Sequence, residues 1–321
     1  MRLEIGRVED SVWYIDKAFR RANQRVSLTK VNPSLKLVDK IKHLETVRLH
    51  VVRDALHGDI AKLLSVFPRV SELDDFYREL FACFIDVDAY KKSLGSLKWA
   101  GERVVSITKT QERALHRATT AQEVASVRSM FLARCSSIFD QIASSFTLLE
   151  GCRKRIKDMP SLKPGLFTVA IAGFPNVGKS TLLSKITESK PEINSYAFTT
   201  KGLMIGNIIH QGRKVQIIDT PGTLNRFEKM NKIEKMAHLA LKYVADVIVY
   251  VFDFTEPYDI TQQLSLYQDI KQHNKQMLVY FSKHDLINTS LIDGFEVKGT
   301  YDPHILKQQI LEKVPEKEEE N

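Results

Sequence analysis

Nine consecutive residues, Gly173, Phe174, Pro175, Asn176, Val177, Gly178, Lys179, Ser180 and Thr181, fit the pattern G-x-x-x-x-G-K-[ST]. They stand between an apolar run that reads as a strand and a stretch that reads as a helix, the context in which this pattern binds a phosphate chain. Its glycines let backbone N–H groups turn inward around phosphate oxygens, and the helix behind adds the positive end of its dipole. Lys179 is placed to reach the β- and γ-phosphates, and the Ser180 hydroxyl to ligate Mg2+. Forty residues after Lys179, "DTPG" from Asp219 to Gly222 closes another apolar run. An aspartate there can hold Mg2+ through water, and the Gly222 amide can meet the γ-phosphate. Loss of that phosphate would release the loop, which is how a switch behaves. Between the two motifs lies "YAFTTKG", where Thr199 or Thr200 can close over the metal.

A third motif, "SKHD" from Ser282 to Asp285, follows the apolar "QMLVYF" and puts Lys283 104 residues after Lys179. It reads either as a plain turn after a strand or as the base-reading [N/T]-K-x-D of a guanine-nucleotide site. In the second reading the Asp285 carboxylate accepts from the ring N–H and the exocyclic amine of guanine, a pair of donors adenine lacks. Lys283 lies along the base, its stem packed against the ring. Ser282 replaces an Asn that mainly ties loops together. Losing one neutral hydrogen bond costs ~0.5–1.5 kcal/mol, so guanine binding is weakened without being abolished.

The elements that must position these residues follow from periodicity. From residue 166 strand and helix patterns alternate: "FTVAIAG", then a hairpin of "LMIGNII" and "KVQIIDT" turning at His210 to Arg213, then "DVIVYVFDF" and "QMLVYFS". Helical stretches run over Ser180–Thr187, Asn231–Tyr243, Thr261–His273 and Pro303–Val314. This is an α/β domain over 166–314 with a mostly parallel sheet and one antiparallel edge strand. Before it, apolar residues recur at steps of three and four, predicting helices over Val8–Arg25, Leu35–Leu64, Leu73–Leu94, Leu97–Thr119 and one long helix from Val124 to Ile156. Short connections between them favour an all-α antiparallel bundle over 1–157. Residues 158–165, "DMPSLKPG", read as a linker, and 315–321 as a solvated acidic tail.

Composition narrows the class. The chain has 321 residues, 43% hydrophobic and 27% charged, enough for two globular domains. Its beginning lacks the apolar core of a signal peptide, and its most apolar run, Val244 to Phe254, contains Asp246 and Asp253 and is too short to span a bilayer. The expectation is a soluble intracellular protein. Cys83, Cys135 and Cys152 have no disulfide or zinc spacing and are expected as buried free thiols. Residues 1–165 carry 29 Lys+Arg against 20 Asp+Glu, and the remainder 18 against 19, so the whole basic excess lies in the first half. That excess suits a polyanionic partner or a well-solvated surface. The cluster "CRKRIKD", Cys152 to Asp158, either contacts RNA phosphates or complements a helix C-terminus. Trp13 and Trp99 are expected in the bundle core.

The order "GFPNVGKST", "FTT", "DTPG" and "SKHD" resembles the Obg-related branch of translation-factor GTPases, and within it the nucleolar GTP-binding protein 1 family. That family places a helical bundle before its GTPase domain, with a stretch similar to "FYREL" (Phe76 to Leu80) followed by "DVDAYKKSLG" (Asp86 to Gly95), so the resemblance spans nearly the whole chain. It implies a GTPase that switches between GTP and GDP during assembly of the large ribosomal subunit, with rRNA or a pre-ribosomal particle as partner. It favours Thr200 over Thr199 as the Mg2+ ligand and places Lys179, Thr200 and Gly222 in the catalytic machinery. Asn176 stands where several relatives bind K+ beside the phosphates. "EVKGT", with Val297, Lys298 and Gly299, takes the place of the last base-contacting loop. Thr223 follows DTPG where many GTPases have a catalytic glutamine, so unassisted turnover is expected near ~10⁻⁴ to 10⁻³ s⁻¹. The long C-terminal extension of eukaryotic members does not follow "PEKEEEN", and the compact form is similar to archaeal members. It implies a cytoplasmic protein, monomeric when free, with no membrane association. Two other readings share these motifs: a GTPase whose bundle binds a protein or tRNA, and a nucleotide-binding scaffold with little turnover.

Overall fold

The computed structural model describes residues 5–160, 162–163, 165–187, 192–193, 203–220, 232–255, 259–287, 292 and 294–315. They form two compact units. One is the stretch up to Glu72 together with Ile85–Lys157; the other is Leu73–Phe84 together with the chain from Asp158 on.

The first unit is helical. It holds α1 (Ser11–Ser27) and α2 (Leu37–Val66), then, after α3 (Asp75–Phe84) of the second unit, α4 (Val87–Arg117), α5 (Ala121–Gln141) and α6 (Ala143–Lys157). Polar caps start α1, α4 and α5 by accepting from N–H groups that have no partner within the first turn. Asp10 accepts from the Trp13 amide, Asp86 from the Asp88 and Ala89 amides, and Thr120 and Glu123 form a reciprocal capping box at α5. The core behind them is apolar: Leu49, Val52 and Leu56 of α2, Leu97 and Val104 of α4, Phe131 and Phe139 of α5, and Phe146 and Leu149 of α6 are all buried. Tyr14 stacks on Phe146 at 5.0 Å between ring centroids. Buried Glu45 is neutralised by Arg48 at 2.8 Å and Arg128 at 3.2 Å.

Three expectations for this half are corrected. The break expected near Leu94–Leu97 falls at Ile85–Asp86, because Asp86 caps α4, while Gly95 sits inside α4 with open space about it. The helix expected from Val124 to Ile156 is interrupted at Ile142 (φ −104°, ψ 10°), after which the Ser145 amide bonds back to the Ile142 carbonyl. The apolar series survives this break, with Ile138, Ile142 and Phe146 all buried, which is why periodicity alone did not register it. Trp13 and Trp99 are 40% and 44% exposed, and the Lys17 ammonium lies 4.9 Å above the Trp13 ring. The thiols of Cys83, Cys135 and Cys152 are free, with Cys135 and Cys152 buried and Cys83 half-buried. Burial pushes the Cys135 thiol up to about 12.

The second unit is a six-stranded sheet in the order β2-β3-β4-β1-β5-β6, with β1 (Thr168–Ala172), β2 (Glu192–Ile193), β3 (Met204–His210), β4 (Arg213–Asp219), β5 (Val247–Phe252) and β6 (Gln276–Phe281). β4, β1, β5 and β6 are parallel; β3 runs against them and lies inside the short strand β2. The hairpin pairs His210 with Arg213, at the turn the sequence marks. The parallel strands β1 and β5 are buried on both faces, which explains their unbroken apolar runs. Helices α7 (Lys179–Ile186), α8 (Lys232–Leu239, followed by a π-helical turn Ala240–Val244), α9 (Ile260–Lys271) and α10 (Pro303–Leu311) complete the unit.

The unit also contains α3, so the bundle expected as one block over 1–157 is interrupted. Phe76, Tyr77 and Leu80 of "FYREL" are buried among Leu203, Ile205, Ile218, Met236 and Leu239. The Tyr77 hydroxyl contacts the carbonyls of Pro160 and Leu162 at 2.6 and 2.8 Å, so part of the expected linker is tied down. Among the described residues no helix is long and apolar enough to cross a membrane.

Candidate nucleotide-binding site

The site is built at the carboxyl ends of β1, β4, β5 and β6, where an open α/β sheet presents its ligand crevice. β1 ends at Ala172, and the chain turns through Gly173–Gly178 before α7 begins at Lys179. Gly173 has φ 142°, and a Cβ there would lie 2.7 Å from the Val251 carbonyl oxygen, so no larger residue fits against β5. Asn176 (φ 63°) and Gly178 (φ 92°) also take left-handed conformations. The loop thereby brings the backbone close to the start of α7, whose N-terminal amides favour an anion.

Lys179 is buried, and its ammonium donates to the carbonyls of Gly173 at 3.1 Å and Phe174 at 2.5 Å. Ser180 faces the end of β4, where its hydroxyl donates to Asp219 Oδ2 at 2.5 Å. Asp219 is itself buried. Burial pushes its carboxyl above the ordinary range, and the Ser180 hydrogen bond and the nearby Lys179 charge act in the opposite direction. Its Oδ1 is buried without a hydrogen-bond partner. An orphaned buried carboxylate oxygen beside a hydroxyl oxygen matches the hard oxygen ligands of Mg2+, which keeps several waters and takes few protein ligands. The residues present therefore fit that ion, and among the described residues no cluster of three His, Cys, Asp or Glu side chains forms another metal site. Thr220 does not share this role, since its hydroxyl donates to the Ile171 carbonyl at 2.7 Å and joins β4 to β1.

The SKHD segment comes to the same crevice. A Cβ placed on Gly178 would stand 3.5 Å from Ser282 Cβ, so the phosphate loop and the SKHD loop are neighbours. Both the amide and the hydroxyl of Ser282 donate to the Phe252 carbonyl, at 2.9 and 3.1 Å. Lys283 has φ 51° and ψ 32°, and its ammonium lies 2.6 Å from Oδ2 of Asp253. Asp285 is exposed in the short 3-10 turn His284–Leu286. The His284 ring lies 4.9 Å from that of Tyr301, and Thr300 pairs with Tyr280 along the outer edge of β6. That pairing sets Thr300 against β6 just before SKHD and Gly299 against Val279; the Lys298 side chain, further back in "EVKGT", is exposed.

Thr199, Thr200, Gly222 and Thr223 lie outside the described residues. Two buried residues that no motif singled out stand behind the SKHD loop: Asp253, which faces Lys283, and Gln263 of α9, which grips the backbone of Asp253. The one signal for Asp253 was a charge inside an otherwise apolar strand.

Both halves of the chain match known protein families. The pattern described as NOG1 N-terminal helical domain matches residues 4–162, and that described as 50S ribosome-binding GTPase matches residues 168–283. An uncharacterised protein of Methanocaldococcus jannaschii is 36% identical over 276 residues, 85% of this chain and 77% of its own length. Nucleolar GTP-binding protein 1 of Drosophila melanogaster is 31% identical over 269 residues, 82% of this chain and 41% of its own length. This chain thus spans about two-fifths of the length of that eukaryotic relative. A crystal structure described as a nucleolar GTP-binding protein 1 of Plasmodium falciparum is 32% identical, covers 49% of this chain and 75% of its own, and superposes with a TM-score of 0.35.

Proposed function

The chain belongs to the nucleolar GTP-binding protein 1 family, with a P-loop GTPase domain as its second half, and on that premise we propose that it binds GTP and Mg2+ and hydrolyses GTP to GDP and phosphate. In this reading the two nucleotide states act as a switch on large-subunit ribosomal particles, contacted through rRNA. The observation that carries it is the meeting of Ser180 with buried Asp219, whose Oδ1 is left open, at the mouth of a glycine-turned loop.

The roles follow from the chemistry of each group. The Lys179 ammonium, which here holds two loop carbonyls, exchanges them for the β- and γ-phosphates and offsets their charge. Backbone amides of Asn176 to Ser180 cradle the phosphate oxygens. Ser180 and Asp219 would hold Mg2+, Thr200 would be a further ligand, and the Gly222 amide would meet the γ-phosphate. Mg2+ bound there would supply charge stabilisation to the phosphates. Lys283 packs along the purine, Asp285 accepts from its N–H groups, and Lys298 closes the far side of the base. Asn176 at the loop tip is the proposed contact for K+. The name of the matched GTPase family supports a ribosomal partner, and the basic excess of residues 1–165 supports contact with RNA. The proposed setting is the cytoplasm.

The test is co-sedimentation of the chain with large-subunit particles in GTP and in GDP, beside phosphate release with and without particles. The expected result is retention in one nucleotide state, faster release with particles, and loss of release in Lys179→Ala by at least about a hundredfold. Equal retention in both states, or a Lys179→Ala rate equal to wild type, overturns the reading.

A further inference from the structure

At the end of β5 two consecutive residues hold two consecutive residues of the SKHD loop. The Phe252 carbonyl accepts from the Ser282 amide and hydroxyl, and the Asp253 carboxylate faces the Lys283 ammonium at 2.6 Å. Asp253 is 0% exposed. Its Oδ1 accepts from the amide of Thr255 at 2.8 Å and from the Thr255 hydroxyl at 2.7 Å. Its amide donates to Gln263 Oε1 at 3.0 Å, and its carbonyl accepts from Gln263 Nε2 at 2.7 Å. Gln263 is in turn held through its carbonyl by the Tyr250 hydroxyl at 2.7 Å. The carboxylate is therefore aimed by its surroundings, leaving Oδ2, which takes no hydrogen bond, to meet the lysine as an ion pair.

A buried carboxylate is expensive unless a cation meets it, and a packed apolar strand end would be served better by an apolar residue. Lys283 also holds a left-handed backbone conformation, which persists in a non-glycine residue where its surroundings impose it. Ser282, standing where an Asn would tie the loops together, places its hydroxyl on β5 instead.

We propose that Asp253 is a positioning residue for base recognition: it anchors Lys283 from β5, replaces the tie that Ser282 does not make, and so sets where Asp285 meets the guanine. This rests on the guanine-nucleotide reading above. Asp253 does not touch the ligand; it acts through Lys283.

The test uses the full chain with Mg2+, measuring binding of a fluorescent GDP analogue and, in parallel, competition by inorganic tripolyphosphate, which reads the phosphate loop alone. Asp253→Asn should weaken the GDP analogue about tenfold while leaving tripolyphosphate within about twofold, because only the base end loses its charged anchor. Adding Ser282→Asn to that variant should restore part of the loss. Should Asp253→Asn fail to fold, Thr255→Val keeps the charge but removes one of the two hydrogen bonds that aim the carboxylate, and should weaken the GDP analogue roughly two- to threefold at constant tripolyphosphate affinity. Unchanged GDP binding in the folded variant, or equal weakening of both probes, overturns the inference. A wild-type protein that takes up no GDP analogue overturns the proposed function itself, and this inference with it.

Discussion

The Ser180 hydroxyl donates to Asp219 Oδ2 at 2.5 Å, joining the first turn of α7 to the end of β4 across 39 residues of sequence. In the proposed site the pair would bring two oxygen ligands to Mg2+ at the mouth of the phosphate loop. Ser180→Ala removes one of them and leaves a buried carboxylate with neither oxygen satisfied. It should weaken Mg2+-dependent GTP binding by about tenfold or more and affect GDP binding without Mg2+ much less. A titration of nucleotide release against Mg2+ reads the difference.

His238 and His273 meet edge to face, with ring centroids 5.1 Å apart. Burial holds both imidazoles below their ordinary range, helped at His238 by His273 and Lys242 and at His273 by Lys242 and Lys275. The unfolded chain therefore binds more protons than the fold at mildly acidic pH, and stability must rise with pH there. Their contribution is present above the ordinary value of 6.5 and lost as pH falls below it. Urea midpoints at pH 7.5 and 5.5 should show this loss, and a His273→Phe variant should show a smaller one.

Tyr77 of α3 places one buried hydroxyl against two carbonyls, those of Pro160 and Leu162. Tyr77→Phe leaves both carbonyls without that donor and should destabilise the unit that carries the phosphate loop by about 1–3 kcal/mol. Leu80→Ala, in the same apolar cluster, should cost about 2–5 kcal/mol. Denaturation followed by bound fluorescent GDP analogue would report both losses. A transition confined to the helical unit would contradict the assignment of α3 to the sheet.

The proposed RNA contact has a salt signature. The Lys154 side chain is 66% exposed, and Lys157 also lies at the end of α6. If both neutralise phosphates, the double variant Lys154→Ala/Lys157→Ala should lower the slope of log affinity against log salt by about 1.4–1.8 for an rRNA fragment. An unchanged slope places the contact elsewhere.

Short motifs and periodicity were enough to read the phosphate loop, the His210–Arg213 turn and the alternation of strand and helix, since each is local geometry encoded by neighbouring residues. "GFPNVGKST" carries its own glycine conformations, and the run in β5 declares a strand buried on both faces. The site's second layer was not legible in this way. Asp253 looked like a stray charge in an apolar run until β5 and β6 paired side by side and set it against Lys283, 30 residues away. "FYREL" has the same helical period whichever surface it covers, so nothing local assigned it to the sheet instead of the bundle.

Sequence alone determined which residues can cradle phosphates, which strands are buried and in what order the motifs arrive. Tertiary structure alone decided that α3 joins the sheet, that Trp13 and Trp99 face outward, and that a carboxylate just past β5 holds the lysine of SKHD. The physical reason is that backbone conformation is governed by neighbours in the chain, whereas burial and ion pairing depend on which distant surfaces the strand order and helix packing bring together.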